Sequence, residues 1–104
     1  MIRGTTPTFV LNLETDTIDL TEANNVYISL ETDSVEMLKQ NGDEGVEIQP
    51  HQISVYLTQA ETLQFAEKSK IEIQVNWTYA NGSRGCTDIA KVSVGRNLVY
   101  KVLP

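Results

Sequence analysis

The sequence predicts an all-β chain, an immunoglobulin-like antiparallel β-sandwich of about seven strands with one short helical turn near residues 58–65. Three observations lead there. In the stretch 70–94, Ile71, Ile73, Val75, Trp77 and Tyr79 alternate with Glu72, Gln74, Asn76 and Thr78. An Asn81-Gly82 turn and a second alternating run, Ala90, Val92 and Val94, come after them. A period of two puts every apolar side chain on one face, and Asn-Gly accepts the positive φ of a tight turn, so the stretch reads as a β-hairpin. Turn signals also recur at the roughly 8–12-residue spacing of a sandwich. Finally, no strand-plus-helix alternation is long enough for parallel βαβ units, and no internal repeat is visible.

The elements follow in order. Pro7 stands just ahead of a first strand over residues 8–14, where a missing N–H costs little, and Phe9, Leu11 and Leu13 supply its alternation. Residues 1–7 are read as an N-terminal arm. Residues 15–25 are polar and turn-rich, with Ile18 and Leu20 their only large apolar side chains, and form a connection with one irregular turn at 19–22. Val26, Ile28 and Leu30 alternate with Tyr27, Ser29 and Glu31 in the clearest second strand, ended by Thr32-Asp33-Ser34. Residues 35–40 and 46–48 are then expected to pair across Asn41-Gly42-Asp43-Glu44-Gly45, where two glycines and an Asn favour a hairpin loop over a helix. Pro50-His51 punctuates the chain before Ile53, Val55 and Leu57, with Ser54 and Tyr56 on the opposite face. At Thr58-Gln59-Ala60-Glu61 the period changes to a capping box: the Thr hydroxyl takes the N3 amide and the Glu reaches back to the N-cap amide. The helical turn it opens carries Leu63 and Phe65 toward the core. Residues 68–70 lead into the long hairpin, and Gly95-Arg96-Asn97 ends it before a short final strand or extended tail at 98–102.

Length bounds the answer to one domain over residues 1–104 with one core. Apolar residues at 40% and charged residues at 21% are ordinary globular usage, and no apolar run approaches the roughly 18 residues that span a bilayer. Thr5, Thr6, Pro7 and Thr8 interrupt the start of the chain, which lacks the apolar region of a signal peptide, so the expected location is the cytoplasm of the cell that makes it. A single cysteine, Cys86, leaves the core alone to hold the fold. A net charge of −6 without a Lys/Arg cluster argues against a nucleic-acid partner, and the composition against a membrane.

Chemistry is sparse. Activating a nucleophile needs a nearby base, usually His, and the one histidine, His51, follows Pro50 in a turn while Cys86 lies beside Arg84-Gly85 at a hairpin mouth. No catalytic pair is expected from them, and no enzyme. Zinc asks for several Cys or His ligands, and Glu14, Asp16 and Asp19 lack the spacing of a calcium loop, so no metal or cofactor is expected either. Asn76-Trp77-Thr78 and Asn81-Gly82-Ser83 match the glycosylation sequon but read as strand and turn composition. Trp77 and Tyr79 share the phase of Ile71, Ile73 and Val75 and belong to the core, whereas Tyr27 and Tyr56, out of phase with their strands' apolar sets, are surface candidates.

Three stretches carry a family likeness: Met1-Ile2-Arg3-Gly4-Thr5-Thr6-Pro7-Thr8, the run Val55-Tyr56-Leu57-Thr58-Gln59-Ala60-Glu61-Thr62-Leu63-Gln64-Phe65, and Ile71-Glu72-Ile73-Gln74-Val75. Together they resemble a family of short β-sandwich proteins encoded in phages and prophages of Gram-positive gut bacteria, which carry a Gly-Asp-Thr-like or Gly-Thr-Thr opening and are similar to baseplate N-terminal domains. The likeness is strongest at the N-terminus and from Ile53 onward; residues 14–50 match in strand rhythm. It implies a virion structural or assembly protein of tail, baseplate or neck, found in the host cytoplasm and then in the virion. It would act on other phage structural proteins or on copies of itself, without catalytic residues. The expected interaction surface is Ile2, Arg3, Tyr27, Tyr56, Asn81 and Arg84. The alternative is a carbohydrate-binding module using Tyr27, Tyr56 or the loop 81–85.

Overall fold

The structure, a computed structural model, describes residues 1–13 and 18–95. Eight strands are present there: β1 (Thr8–Asn12), β2 (Asn25–Glu31), β3 (Glu36–Gln40), β4 (Val46–Gln49), β5 (Gln52–Tyr56), β6 (Lys70–Thr78), β7 (Arg84–Cys86) and β8 (Ala90–Ser93). They form two antiparallel sheets. One runs β1-β5-β4; the other runs β3-β2-β6, with β7 and β8 end to end along the far side of β6. In immunoglobulin lettering, β1, β4 and β5 take the places of B, D and E, and β2, β3, β6 and β7–β8 those of C, C′, F and G. The all-β sandwich expected from the alternation is therefore present.

The inner faces follow the period of two. Val26, Ile28 and Leu30 of β2, Ile71, Ile73, Val75 and Trp77 of β6, and Ile53 and Val55 of β5 are buried, and Leu20, Leu57, Phe65 and Val94 join them in one core. Val92 is half-buried. The count exceeds seven because the partner of β6 is split. Three steps along β6, from Asn76 to Ile73, match four along its partner, from Cys86 to Ala90, which defines a β-bulge. Thr87 bridges it: its N–H donates to Val75 O (2.9 Å) and its Oγ1 accepts from Val75 N (3.1 Å), so a side chain stands in for a ladder carbonyl. The turn before β7 also differs from the tight Asn-Gly form. Tyr79 N–H donates to Ser83 O and Gly82 N–H to Tyr79 O, enclosing a three-residue loop in which Gly82 alone is left-handed (φ 88°).

Two expectations are corrected. Residues 35–48 do not form a hairpin: β3 pairs with β2, β4 pairs with β5, and residues 41–45 carry the chain from one sheet to the other. A turn closed by Thr32 N–H to Val35 O returns β3 directly alongside β2. Asn41 then ends it, exchanging bonds with Val26 through its own N–H and Oδ1, both at 3.0 Å. Gly42 (φ 92°) and Gly45 (φ 86°) turn the backbone twice rather than once, and Gly45 O is taken by Tyr56 N–H on β5. Nor are residues 1–7 a free arm. The Met1 ammonium donates to Ser93 O (2.9 Å), Ile2 pairs in parallel with Gly95, Gly4 N–H donates to Thr62 Oγ1 (2.9 Å), and Pro7 O accepts from Leu57 N–H. The predicted end of the first strand at Glu14 and the final strand at 98–102 lie outside the described residues.

The capping box forms as expected. Thr58 Oγ1 accepts from Glu61 N–H (3.2 Å), Glu61 Oε1 accepts from Thr58 N–H (2.9 Å), and the single helical turn α1 (Gln59–Thr62) brings Phe65 into the core. Glu61 also pairs with Lys39 of β3. Partial burial raises its pKa, but the Lys39 ammonium and the Thr58 amide outweigh that and hold it below the usual carboxylate value. A depressed folded pKa means the stabilisation is complete above the unfolded value and lost as pH falls through the folded one. Glu61→Gln is thus expected to cost about 1 kcal/mol at neutral pH. Urea melts in acid should find the gap to wild type closing.

Candidate functional site

The six residues expected to form an interaction surface are spread along the sandwich. Tyr27 lies opposite Asn76 in the β2–β6 ladder, and Arg84 opposite Thr78 in the β6–β7 ladder, so both sit at the end marked by the 79–83 turn, with Asn81 on the turn itself. Tyr27 is half-buried and Arg84 exposed. Asn81 Oδ1 is occupied by Ser83 N–H (3.0 Å) and Ser83 Oγ (2.7 Å). Ile2 and Arg3 sit at the opposite end, and Tyr56 lies between, on the other sheet, in a cleft with Lys39 and Glu61. Ile2 and Tyr56 are exposed, but Arg3 is turned inward: its guanidinium donates to Phe65 O and to Leu63 O (2.9 Å). The six do not converge on one surface.

The groups raised as chemistry lie toward one end of the sandwich without forming a constellation: Leu13, whose N–H donates to His51 O, lines the same cleft as Cys86, and His51 lies near enough to Asp19 to act on its charge. Cys86 lies exposed on β7, His51 lies in the two-residue turn between β4 and β5, and the cleft beside Trp77 that takes in Cys86 does not include His51. Asp19 caps the 3-10 turn Leu20–Glu22. Its carboxylate accepts from the Thr21 side chain and backbone, which holds its pKa below the ordinary value. Among the described residues no three His, Cys, Asp or Glu side chains converge. Glu14 and Asp16 lie outside those residues. No helix among them is long and apolar enough to cross a membrane. A cleft of about 570 Å³ has walls of mixed sign, with Glu31, Asp33 and Glu72 among Lys68, Lys70 and Lys91. No aromatic ring lines it, and Trp77, as its phase predicts, is 3% exposed in the core.

What remains is the sheet edges, and they are not alike. An open edge presents unpaired N–H and C=O groups, and proteins blunt such edges with charge, bulges or short strands. The edge β3 carries Glu36 and Lys39, the short edge β4 carries Glu47, and β7–β8 carries Arg84, Lys91 and the bulge. The edge β1, Thr8-Phe9-Val10-Leu11-Asn12, has neither charge nor bulge. Its bonding phase follows from its neighbours: Leu57 N–H donates to Pro7 O and Leu13 N–H to His51 O, so the odd positions bond to β5. Thr8, Val10 and Asn12 therefore turn their backbone N–H and C=O outward. None of those groups is paired among the described residues.

Beside this edge runs an apolar groove of about 190 Å³. Val10, Leu11 and Leu13 form one wall, Thr87, Asp88 and Ala90 the other, and Ile53, Ile73 and Val75 lie between them. Phe9 and Leu11 face inward but are only half-buried, because no further strand among the described residues covers them, and Val10 is 51% exposed on the outer face. The place is the one that strand A takes beside strand B in an immunoglobulin sandwich. Sequence reasoning missed this edge because strand order is not written in any local pattern. The one available signal was the uncharged run 8–12 after Pro7. Comparison of the chain with protein-family models, with curated proteins and with solved structures finds no match in any of the three.

Proposed function

We propose that this chain is a structural or assembly protein that works by protein–protein contact, with strand addition at the open β1 edge as its principal mode. The observation that carries the reading is the contrast among the edges: among the described residues β1 alone is left bare beside an apolar groove, while β3, β4 and β7–β8 are guarded. Strand addition takes its affinity from main-chain hydrogen bonds and its selectivity from the side chains on alternate positions. The likeness of residues 1–8, 55–65 and 71–75 to short phage and prophage β-sandwich proteins supports a place in the tail, baseplate or neck of a virion, among other virion proteins. No catalytic step is assigned: the cleft that takes in Cys86 holds no histidine to activate it. The carbohydrate-binding alternative is less favoured, because Tyr27 and Tyr56 stand on different sheets and Trp77 is core, which leaves it the loop 81–85. Mass spectrometry of particles purified from the encoding cells is expected to find the chain at a structural protein's stoichiometry. Its absence from particles that contain the rest of the tail would remove the virion assignment.

A further inference from the structure

Resting on the reading of β1 as the contact edge, we infer that its occupant is the β1 strand of a second copy, added antiparallel about a two-fold axis through Val10. The strand is self-complementary about that point. With Val10 opposite Val10, Thr8 falls opposite Asn12 of the partner and Asn12 opposite Thr8. These are the positions whose N–H and C=O point outward, so three residue pairs would each exchange two hydrogen bonds. On the inner face Phe9 meets the partner's Leu11 and Leu11 meets the partner's Phe9, which covers the two core-facing side chains that the groove leaves half-exposed. On the outer face the two exposed Val10 side chains cover each other.

Charge does not oppose that pairing along the strand itself. A chain of net charge −6 repels itself over most of its surface, and the contact must fall where that repulsion is least. Residues 8–12 are free of charge, so the new ladder juxtaposes no like charges, and two-fold pairing is the closed arrangement that uses one patch twice. The product is a continuous six-stranded sheet, β4-β5-β1 of one copy followed by β1-β5-β4 of the other.

Light scattering on the purified full chain over a dilution series is expected to give the mass of a dimer that dissociates on dilution. Val10→Lys, which places a charge on the two-fold axis at an exposed position, should abolish the dimer while leaving circular dichroism and Trp77 emission unchanged. Leu38→Lys on the edge of β3 should leave the dimer intact. Independently of folding losses in either variant, Val10→Cys in a Cys86→Ser background should oxidise to a disulfide-linked dimer, because directly paired strands hold their Cα atoms about 5.5 Å apart. A wild-type chain that stays monomeric at every concentration overturns the inference, as does a dimer lost in Leu38→Lys but kept in Val10→Lys. A monomer whose Val10 amide becomes protected from exchange only when other particle proteins are added also overturns it, but leaves the assembly reading standing. A Val10-dependent dimer absent from particles does the reverse.

Discussion

Trp77→Ala is expected to destabilise the chain by about 3–5 kcal/mol, a large share of what a domain of this length has in total. The indole lies in the core on β6, directly opposite Gly85 of β7. A Cβ built on Gly85 would stand 2.5 Å from Trp77 Cε2 and Cζ2, so the ring rests on bare backbone. That contact explains why a glycine occupies a strand position whose backbone is not left-handed: space, not φ, excludes other residues. Gly85→Ala should therefore cost about 1–3 kcal/mol by overpacking. The two losses should not add. Removing the ring opens the space the methyl needs, so the double variant should fall short of the sum by about 1 kcal/mol or more. Urea denaturation followed by far-ultraviolet circular dichroism measures all four corners of this cycle. An additive result would mean that β7 simply backs away from the ring.

Trp77 also illustrates what could be read without coordinates. Its place in the core follows from sharing a phase with Ile71, Ile73 and Val75, and the same period-two argument locates β2, β5 and β6 with their buried faces. The capping box was legible because its partners are three residues apart, within reach of a local pattern. The failures share one cause, which is that pairing between distant strands leaves no local trace. Residues 35–40 alternate as a strand should, but nothing in them says whether β2 or β4 is their neighbour, and two glycines in the following loop suit a hairpin and a crossover equally. Arg3 is the same case at longer range, because its acceptors lie sixty residues further along the chain. The open edge was hidden for this reason too: which strand is left without a neighbour can be known only when every other pairing is known.

Arg3→Met should cost about 3 kcal/mol, the second-largest single loss expected, and should do so by releasing one end of the sandwich. A single helical turn cannot hold itself together, and the carbonyls beyond its C-terminal end have no intrahelical partners. Here the Arg3 guanidinium supplies them, donating to Leu63 O and Phe65 O, while Thr62 Oγ1, on a fully buried side chain, donates to Thr5 O (2.8 Å) and accepts from Gly4 N–H. Residues 2–5 and 62–65 thus close each other across the end of the core above Phe65. Two hydrogen bonds from a charged donor are worth about 1.5–3 kcal/mol each, and half-burial of Arg3 puts the sum toward the lower end. Methionine keeps the packing of the side-chain stem and removes the fork with every interaction it makes. Arg3→Lys should recover part of the loss, since an ammonium reaches one carbonyl without the bidentate geometry. Hydrogen exchange gives the sharper readout: amides of residues 2–5 and 62–65 should exchange faster in Arg3→Met while those of β2 and β6 keep their protection. If the variant instead loses no more than the roughly 0.5 kcal/mol of an ordinary surface substitution, residues 1–7 are an arm after all, and their pairing with α1 and Gly95 contributes nothing to the fold.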